Sequence, residues 1–130
     1  MATPRRIQNR RERILLADDE EMVRKAVRLI LAACGYQISE AVDGEDAVEK
    51  YRDASPPFDL VLLDFDMPRL NGLEALAKIR KQHPGAKIIL LSGGAHGVES
   101  NEVTFIQKPF ENEELIKLVR ETLDSKSPSR

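Results

Sequence analysis

The chain has 130 residues, 42% of them hydrophobic and 32% charged, a balance that supports one packed domain and excludes wholesale disorder. A formal net charge of −2 gives no global pull toward nucleic acid or anionic lipid, and no apolar run approaches the roughly 20 residues of a membrane span. The single cysteine, Cys34, excludes an internal disulfide and agrees with a reducing, cytoplasmic setting, and the N-terminus lacks the apolar stretch of a secretory signal.

Residues 1–12 carry Arg5, Arg6, Arg10 and Arg11 with little apolar content and read as a disordered basic arm. Ile14-Leu15-Leu16-Ala17 is a short aliphatic strand run that ends in Asp18-Asp19. From Glu20 to Cys34, Val23, Val27, Ile30 and Cys34 recur at helical spacing, and Gly35 stands where a helix terminates. Tyr36 to Ala41 alternates as a strand does, Asp43-Gly44 turns the chain, and Ala47, Val48 and Tyr51 mark a second helix that Pro56-Pro57 closes off. Leu60-Val61-Leu62-Leu63 is continuously apolar, as expected of a strand covered on both faces. Asn71-Gly72 precedes a third helix with Leu73, Leu76 and Ile79, stopped near Pro84-Gly85. Ile88 to Leu91 and Val103 to Gln107 are the fourth and fifth strands. Glu111 to Leu123 is the last helix, with Leu115, Leu118, Val119 and Thr122 on one face. Residues 124–130 read as a polar tail, leaving a domain over 13–123.

The order is strand then helix, five times, with the fourth helix poorly marked. Such alternation predicts an α/β fold with a five-stranded parallel sheet and helices on both faces. In sheets of this kind the site lies at the carboxyl ends of the strands, near the point where strand order reverses. The rule selects Asp18-Asp19 after the first strand, Asp64 ending the third, Ser92 after the fourth and Lys108 after the fifth.

Each of these has an ordinary use: an acidic pair caps a helix, Ser beside glycine makes a turn, and a lysine before proline sits on a surface. Their convergence on one rim is what selects a site. Clustered carboxylates repel unless a cation neutralises them or their pKa values rise. Hard oxygen ligands with room for water suit Mg²⁺, whose remaining positions favour phosphate oxygens. A carboxylate nucleophile, a divalent cation, an ammonium and a hydroxyl are the parts needed for phosphoryl transfer.

Over about residues 13 to 123 the sequence resembles the receiver domains of two-component response regulators, the family of the chemotaxis response regulator. The resemblance rests on Ile14-Leu15-Leu16-Ala17-Asp18-Asp19-Glu20, on Leu60 to Asp64 with Phe65-Asp66-Met67-Pro68 and Gly72, on Leu91-Ser92, and on Lys108-Pro109-Phe110. It implies a flavodoxin-like doubly wound fold and a signalling domain in a phosphorelay, not a turnover enzyme. Asp64 is then the phosphoacceptor, served by a histidine kinase or histidine phosphotransfer protein. Asp18, Asp19, Asp64 and the backbone carbonyl of Asp66 hold Mg²⁺. Ser92 contacts the phosphoryl group, Lys108 pairs with it through a chain bend at a cis Lys108-Pro109 bond, and Phe105 occupies the aromatic switch position. A downstream protein partner, which the sequence does not name, receives the signal.

Two departures from the family pattern stand out. Only 16 positions separate Ser92 from Lys108, and this stretch holds Gly93, Gly94 and Gly97, so a shortened or irregular fourth helix is expected, as in receivers attached to hybrid histidine kinases. A monomer is expected in consequence, with the response to phosphorylation appearing as reordering of residues 92 to 104. The switch position holds Phe105, which cannot donate a hydroxyl hydrogen bond.

Three other functions compete with this one. Leu63-Asp64-Phe65-Asp66 resembles the acidic signature of haloacid-dehalogenase-type phosphatases, yet the further acidic pair lies upstream and Met67-Pro68 follows. A pseudo-receiver that only binds protein would not need the full set of side chains present here. The N-terminal arginines suit only non-specific, salt-sensitive contact with nucleic acid, so no specific nucleic-acid binding is expected.

Overall fold

The structure is a computed structural model and describes residues 11–93 and 103–125. Among these, β1 (Arg13–Ala17), α1 (Glu21–Ala33), β2 (Gln37–Ala41), α2 (Gly44–Asp53), β3 (Leu60–Asp64), α3 (Gly72–Gln82), β4 (Ile88–Ser92), β5 (Thr104–Gln107) and α4 (Asn112–Asp124) follow in chain order. The five strands form one sheet in the order β2-β1-β3-β4-β5, every pairing parallel. This is the doubly wound, flavodoxin-like order, reversing between β1 and β3.

Side-chain alternation divides the core into two layers. Leu15, Ala17, Val61, Leu63, Ile88 and Leu90 face Ala47, Tyr51, Leu76 and Ile79 of α2 and α3. Ile14, Leu16, Leu60, Leu62, Ile89 and Leu91 face Val27 and Leu31 of α1 and Leu115 and Val119 of α4. The continuous apolar runs of β3 and β4 follow from this two-sided burial, since all five residues of each strand are buried.

Local chemistry sets the element ends. Gly35 adopts φ +99° after α1, a conformation that suits glycine at a helix C-terminus. Asn71 caps α3 by accepting from the Glu74 N–H at 2.8 Å, and the Glu74 carboxylate returns a bond to the Asn71 N–H at 2.9 Å, a reciprocal capping box.

Several sequence expectations need adjustment. Cys34 is exposed because it is the cap after α1; the buried stripe is Arg24, Val27 and Leu31. Gly44 and Gly72 are the first residues of α2 and α3 and not turn positions ahead of them. Contacts are also made by residues on either side of 13–123. The Glu12 carbonyl accepts from Gln37 at 3.0 Å and its carboxylate meets Arg120 at 2.8 Å, while Asp124 ends α4 and the Ser125 carbonyl accepts from Lys87 at 2.6 Å. The remaining arm and tail residues, and most of the expected fourth-helix segment, lie outside the described residues.

Candidate functional site at the carboxyl rim

Parallel pairing at the reversal point brings Asp18 and Asp64 to one rim. Ala17 stands in register with Leu63, so the residue after β1 and the last residue of β3 emerge side by side. The Asp18 N–H donates to the Ala41 carbonyl at 3.2 Å, and the Phe65 N–H to the Leu91 carbonyl at 2.8 Å. The pairing therefore continues one residue past each strand and fixes both backbones.

Behind Asp64 stands the N-terminus of α3. The Gly72 N–H donates to the Phe65 carbonyl at 2.9 Å, and a Cβ at Gly72 would lie 2.5 Å from the Asp64 carbonyl oxygen. Glycine is required there for close approach of helix to strand end. Gly44 has a similar duty, since a Cβ on it would collide with the Leu70 carbonyl of the β3–α3 turn.

Asp18 is fully buried and Asp64 nearly so, while Asp19 is exposed. One carboxylate oxygen from each of the three lies within 4.8 Å of the others. Lys108, one residue past β5, donates Nζ to Asp64 Oδ1 at 2.9 Å and stands 3.6 Å from Asp18 Oδ2. Its backbone N–H bonds the Ser92 carbonyl at 2.7 Å. The Lys108-Pro109 bond is cis, as expected.

Electrostatically the site is under-neutralised. Burial pushes the Asp64 carboxyl up to about 6 against the opposing hydrogen bond from Lys108, with the Asp18 charge adding to the rise. Burial likewise raises Asp18, opposed by the Glu20 N–H and by Lys108. Burial works to lower Lys108, but the bond to Asp64 and the charge of Asp18 leave it raised. Asp18 Oδ1 accepts from the Glu20 N–H at 2.9 Å, whereas buried Asp18 Oδ2 has no hydrogen-bond partner among the described residues. A buried carboxylate oxygen without a hydrogen bond, in a set of three carboxylates of which two share one ammonium, fits a hard divalent cation that retains some water.

Asp66 lies in the β3–α3 turn with its side chain exposed and outside the carboxylate cluster; the expectation concerned only its carbonyl. Ser92 ends β4 and is buried. Phe105 is paired in register with Leu90 and half-buried against the α2–α3 layer, an edge position on the strand next to Ser92. Gly93 adopts no glycine-only φ, and a Cβ there would meet nothing within 4 Å among the described residues. Of the expected switch segment, residues 94–102 lie outside the described residues.

Two contributors escaped the sequence reading. Arg24 is buried beneath Asp18, and its signal was a charge on the buried helical stripe Arg24-Val27-Leu31. Arg69, at φ +66°, pairs with Asp43, whose other oxygen caps α2 through the Asp46 N–H at 2.8 Å; nothing local in the sequence marks that pairing.

The chain matches the model of the response regulator receiver domain over residues 14–120. It belongs to that family. The chemotaxis protein CheY of Thermotoga maritima is 34% identical over 113 residues, covering 82% of this chain and 92% of that protein. Among solved structures, the receiver domain of the hybrid histidine kinase CckA aligns with a TM-score of 0.73 at 34% identity, over 86% of this chain and 99% of that one. The response regulator TrrA of Thermotoga maritima, in complex with Mg²⁺-BeF, aligns with a TM-score of 0.77 at 35% identity, over 85% and 98%. The chain is thus a CheY-like receiver of two-component signalling. Receivers are signalling domains that bind Mg²⁺ in an acidic pocket and interact with histidine kinases or phosphotransfer proteins; this chain carries an acidic cluster of Asp18, Asp19 and Asp64. No described helix is long and apolar enough to cross a membrane.

Proposed function

We propose that this receiver accepts a phosphoryl group on Asp64 from the phosphohistidine of a kinase or phosphotransfer protein, with Mg²⁺ held by Asp18, Asp19, Asp64 and the Asp66 carbonyl. The observation that carries the proposal is the division of labour around Asp64. One of its oxygens meets Lys108 Nζ at 2.9 Å, and beside it stand Asp18 and Asp19, with the buried Asp18 Oδ2 lacking a hydrogen-bond partner among the described residues. The complex of TrrA with Mg²⁺-BeF supports carrying this chemistry to a chain 35% identical to it.

In the reaction an Asp64 oxygen attacks phosphorus as the phosphorus–nitrogen bond breaks, and the leaving imidazole keeps the bonding pair. When bound, Mg²⁺ neutralises negative charge on the transferring oxygens. Lys108 does the same from the other side, exchanging part of its bond to Asp64 for one to the phosphoryl oxygens. Ser92 donates its hydroxyl to the phosphoryl group, and Phe105 moves toward the space Ser92 leaves. The added charge of roughly −2 and its acceptor oxygens drive the change. The product signals to a downstream protein, and the domain performs no turnover beyond its own phosphorylation and dephosphorylation.

Incubation with acetyl phosphate or phosphoramidate and Mg²⁺, read by intact mass, should give one phosphoryl per chain, mapped to Asp64. Asp64→Asn should take none while keeping its fold. Labelling of Asp64→Asn at the wild-type rate, or many turnovers of a generic phosphate ester, contradicts the assignment.

A further inference from the structure

Arg24 belongs to the first turns of α1, yet only 8% of it is exposed. Its Nη1 donates to the backbone carbonyl of Asp18 and its Nε to Glu40 Oε1, both at 2.7 Å. One planar guanidinium therefore ties the end of β1 to the edge strand β2. Glu40 is held in its turn by Lys25 at 3.4 Å and Arg28 at 3.2 Å, so the anchor is itself fixed.

The consequence falls on Asp18. Its N–H is bonded to Ala41, its carbonyl to Arg24 and its Oδ1 to the Glu20 N–H, which leaves Oδ2 without a hydrogen-bond partner among the described residues. Without the guanidinium, nothing described here would hold that carbonyl. The β1–α1 turn would then be free to relax the repulsion among Asp18, Asp19 and Asp64 by swinging the acidic pair outward. The Arg24 bond goes to the Asp18 backbone carbonyl, so Arg24 acts on the peptide.

We propose that Arg24 is a positioning residue, clamping the Asp18 peptide to Glu40 so that the acidic pair stays aimed across the rim at Asp64. The inference rests on the functional reading above only for what the rim holds; the clamp itself is a property of the metal-free protein. Partners that orient metal ligands from behind typically cost 10–100-fold in metal affinity when removed, which sets the size of effect to seek.

Arg24→Lys separates geometry from charge, because an ammonium is a point donor and cannot span both acceptors as the guanidinium fork does. In chelator, amide exchange at Asp18 and Glu20 should quicken about tenfold in Arg24→Lys while β3 amides hold. The Mg²⁺ dissociation constant, from calorimetry, should rise about tenfold or more. Arg120→Met is the control: it breaks the ion pairs with Glu12 and Asp124 at the other end of β1, and should leave Mg²⁺ affinity unchanged. Should Arg24→Lys not fold, Glu40→Gln loosens the anchor and must shift exchange and affinity in the same direction, by less. Wild-type exchange and affinity in Arg24→Lys, or equal affinity loss in Arg120→Met, overturn the clamp. If wild type itself neither binds Mg²⁺ nor takes a phosphoryl group, the functional reading fails, and exchange in chelator still decides for or against Arg24.

Discussion

Two pairs of buried or half-buried acids near this rim have opposite electrostatics. Glu40 and Asp43 are satisfied. Arg24 holds the Glu40 carboxyl below its ordinary range, helped by Lys25, and the Asp46 N–H and Arg69 do the same for Asp43. Asp18 and Asp64 are not satisfied, and burial carries both above the ordinary range, Asp64 to about 6. Burial is common to both pairs, so burial alone does not decide what an acid does. The supply of donors decides. Acids with enough donors bind the structure together, and acids left short of them form the site that, in the proposed function, a cation and a phosphoryl group complete.

The comparison can be broken in several ways. The largest effect should come from Lys108→Met, which removes the ammonium that both deficient acids share. Labelling by acetyl phosphate should slow by roughly a hundredfold or more, as for loss of a donor aimed at developing charge. A rate within threefold of wild type would show that Lys108 merely fills space.

Next in size is the response of stability to pH in chelator. Asp64 is raised in the folded state, so the stability linked to it is fully present below its ordinary pKa and lost as pH rises through about 6. The rise from 3.8 to about 6 corresponds to a loss of about 3 kcal/mol. Millimolar Mg²⁺ should remove most of that loss, by mass action on the ionised site. Denaturation curves at several pH values, with and without Mg²⁺, measure both. Glu40 and Asp43 carry the opposite sign. Their contribution is present above the ordinary carboxylate range and is lost as pH falls through their lowered values.

Asp43→Ala should cost about 1 kcal/mol through loss of the α2 cap, most of it absent at low pH, and should change the labelling rate by less than threefold. A large labelling defect would mean that the Asp43–Arg69 pairing positions the β3–α3 turn for chemistry. At the bottom of the scale, Lys117→Ala removes an exposed pair with Glu121 at 4.0 Å and should leave stability within about 0.5 kcal/mol of wild type.

Much of this was legible in the sequence for a physical reason. Strands buried on both faces read as unbroken apolar runs, so the polar residues that end them, Asp18, Asp64, Ser92 and Lys108, stand out at once. What the sequence hid depends on contacts between distant elements. Arg24 looks like any arginine of a charged helix until β2 supplies Glu40. Gly44 reads as a turn until Leu70 is packed against it, and Asp43 as a turn residue until Arg69 arrives from 26 positions away. Cys34 continued the helical spacing but fell beyond the last packed turn.

The central claim is that Asp64 is held in its ionised form against its surroundings until a cation arrives. The direct measurement is the stability of wild type and Asp64→Asn, side by side in chelator, from about pH 4 to 7.5. Asparagine copies the shape of the neutral acid and cannot ionise. Asp64→Asn should lie close to wild type near pH 4 and be more stable at neutral pH by about 1–3 kcal/mol, the gap widening from about pH 4 and levelling off above about pH 6. If Asp64→Asn is no more stable than wild type at neutral pH, the ionised carboxylate is already well satisfied by Lys108, and the account of the rim as a donor-poor site is wrong.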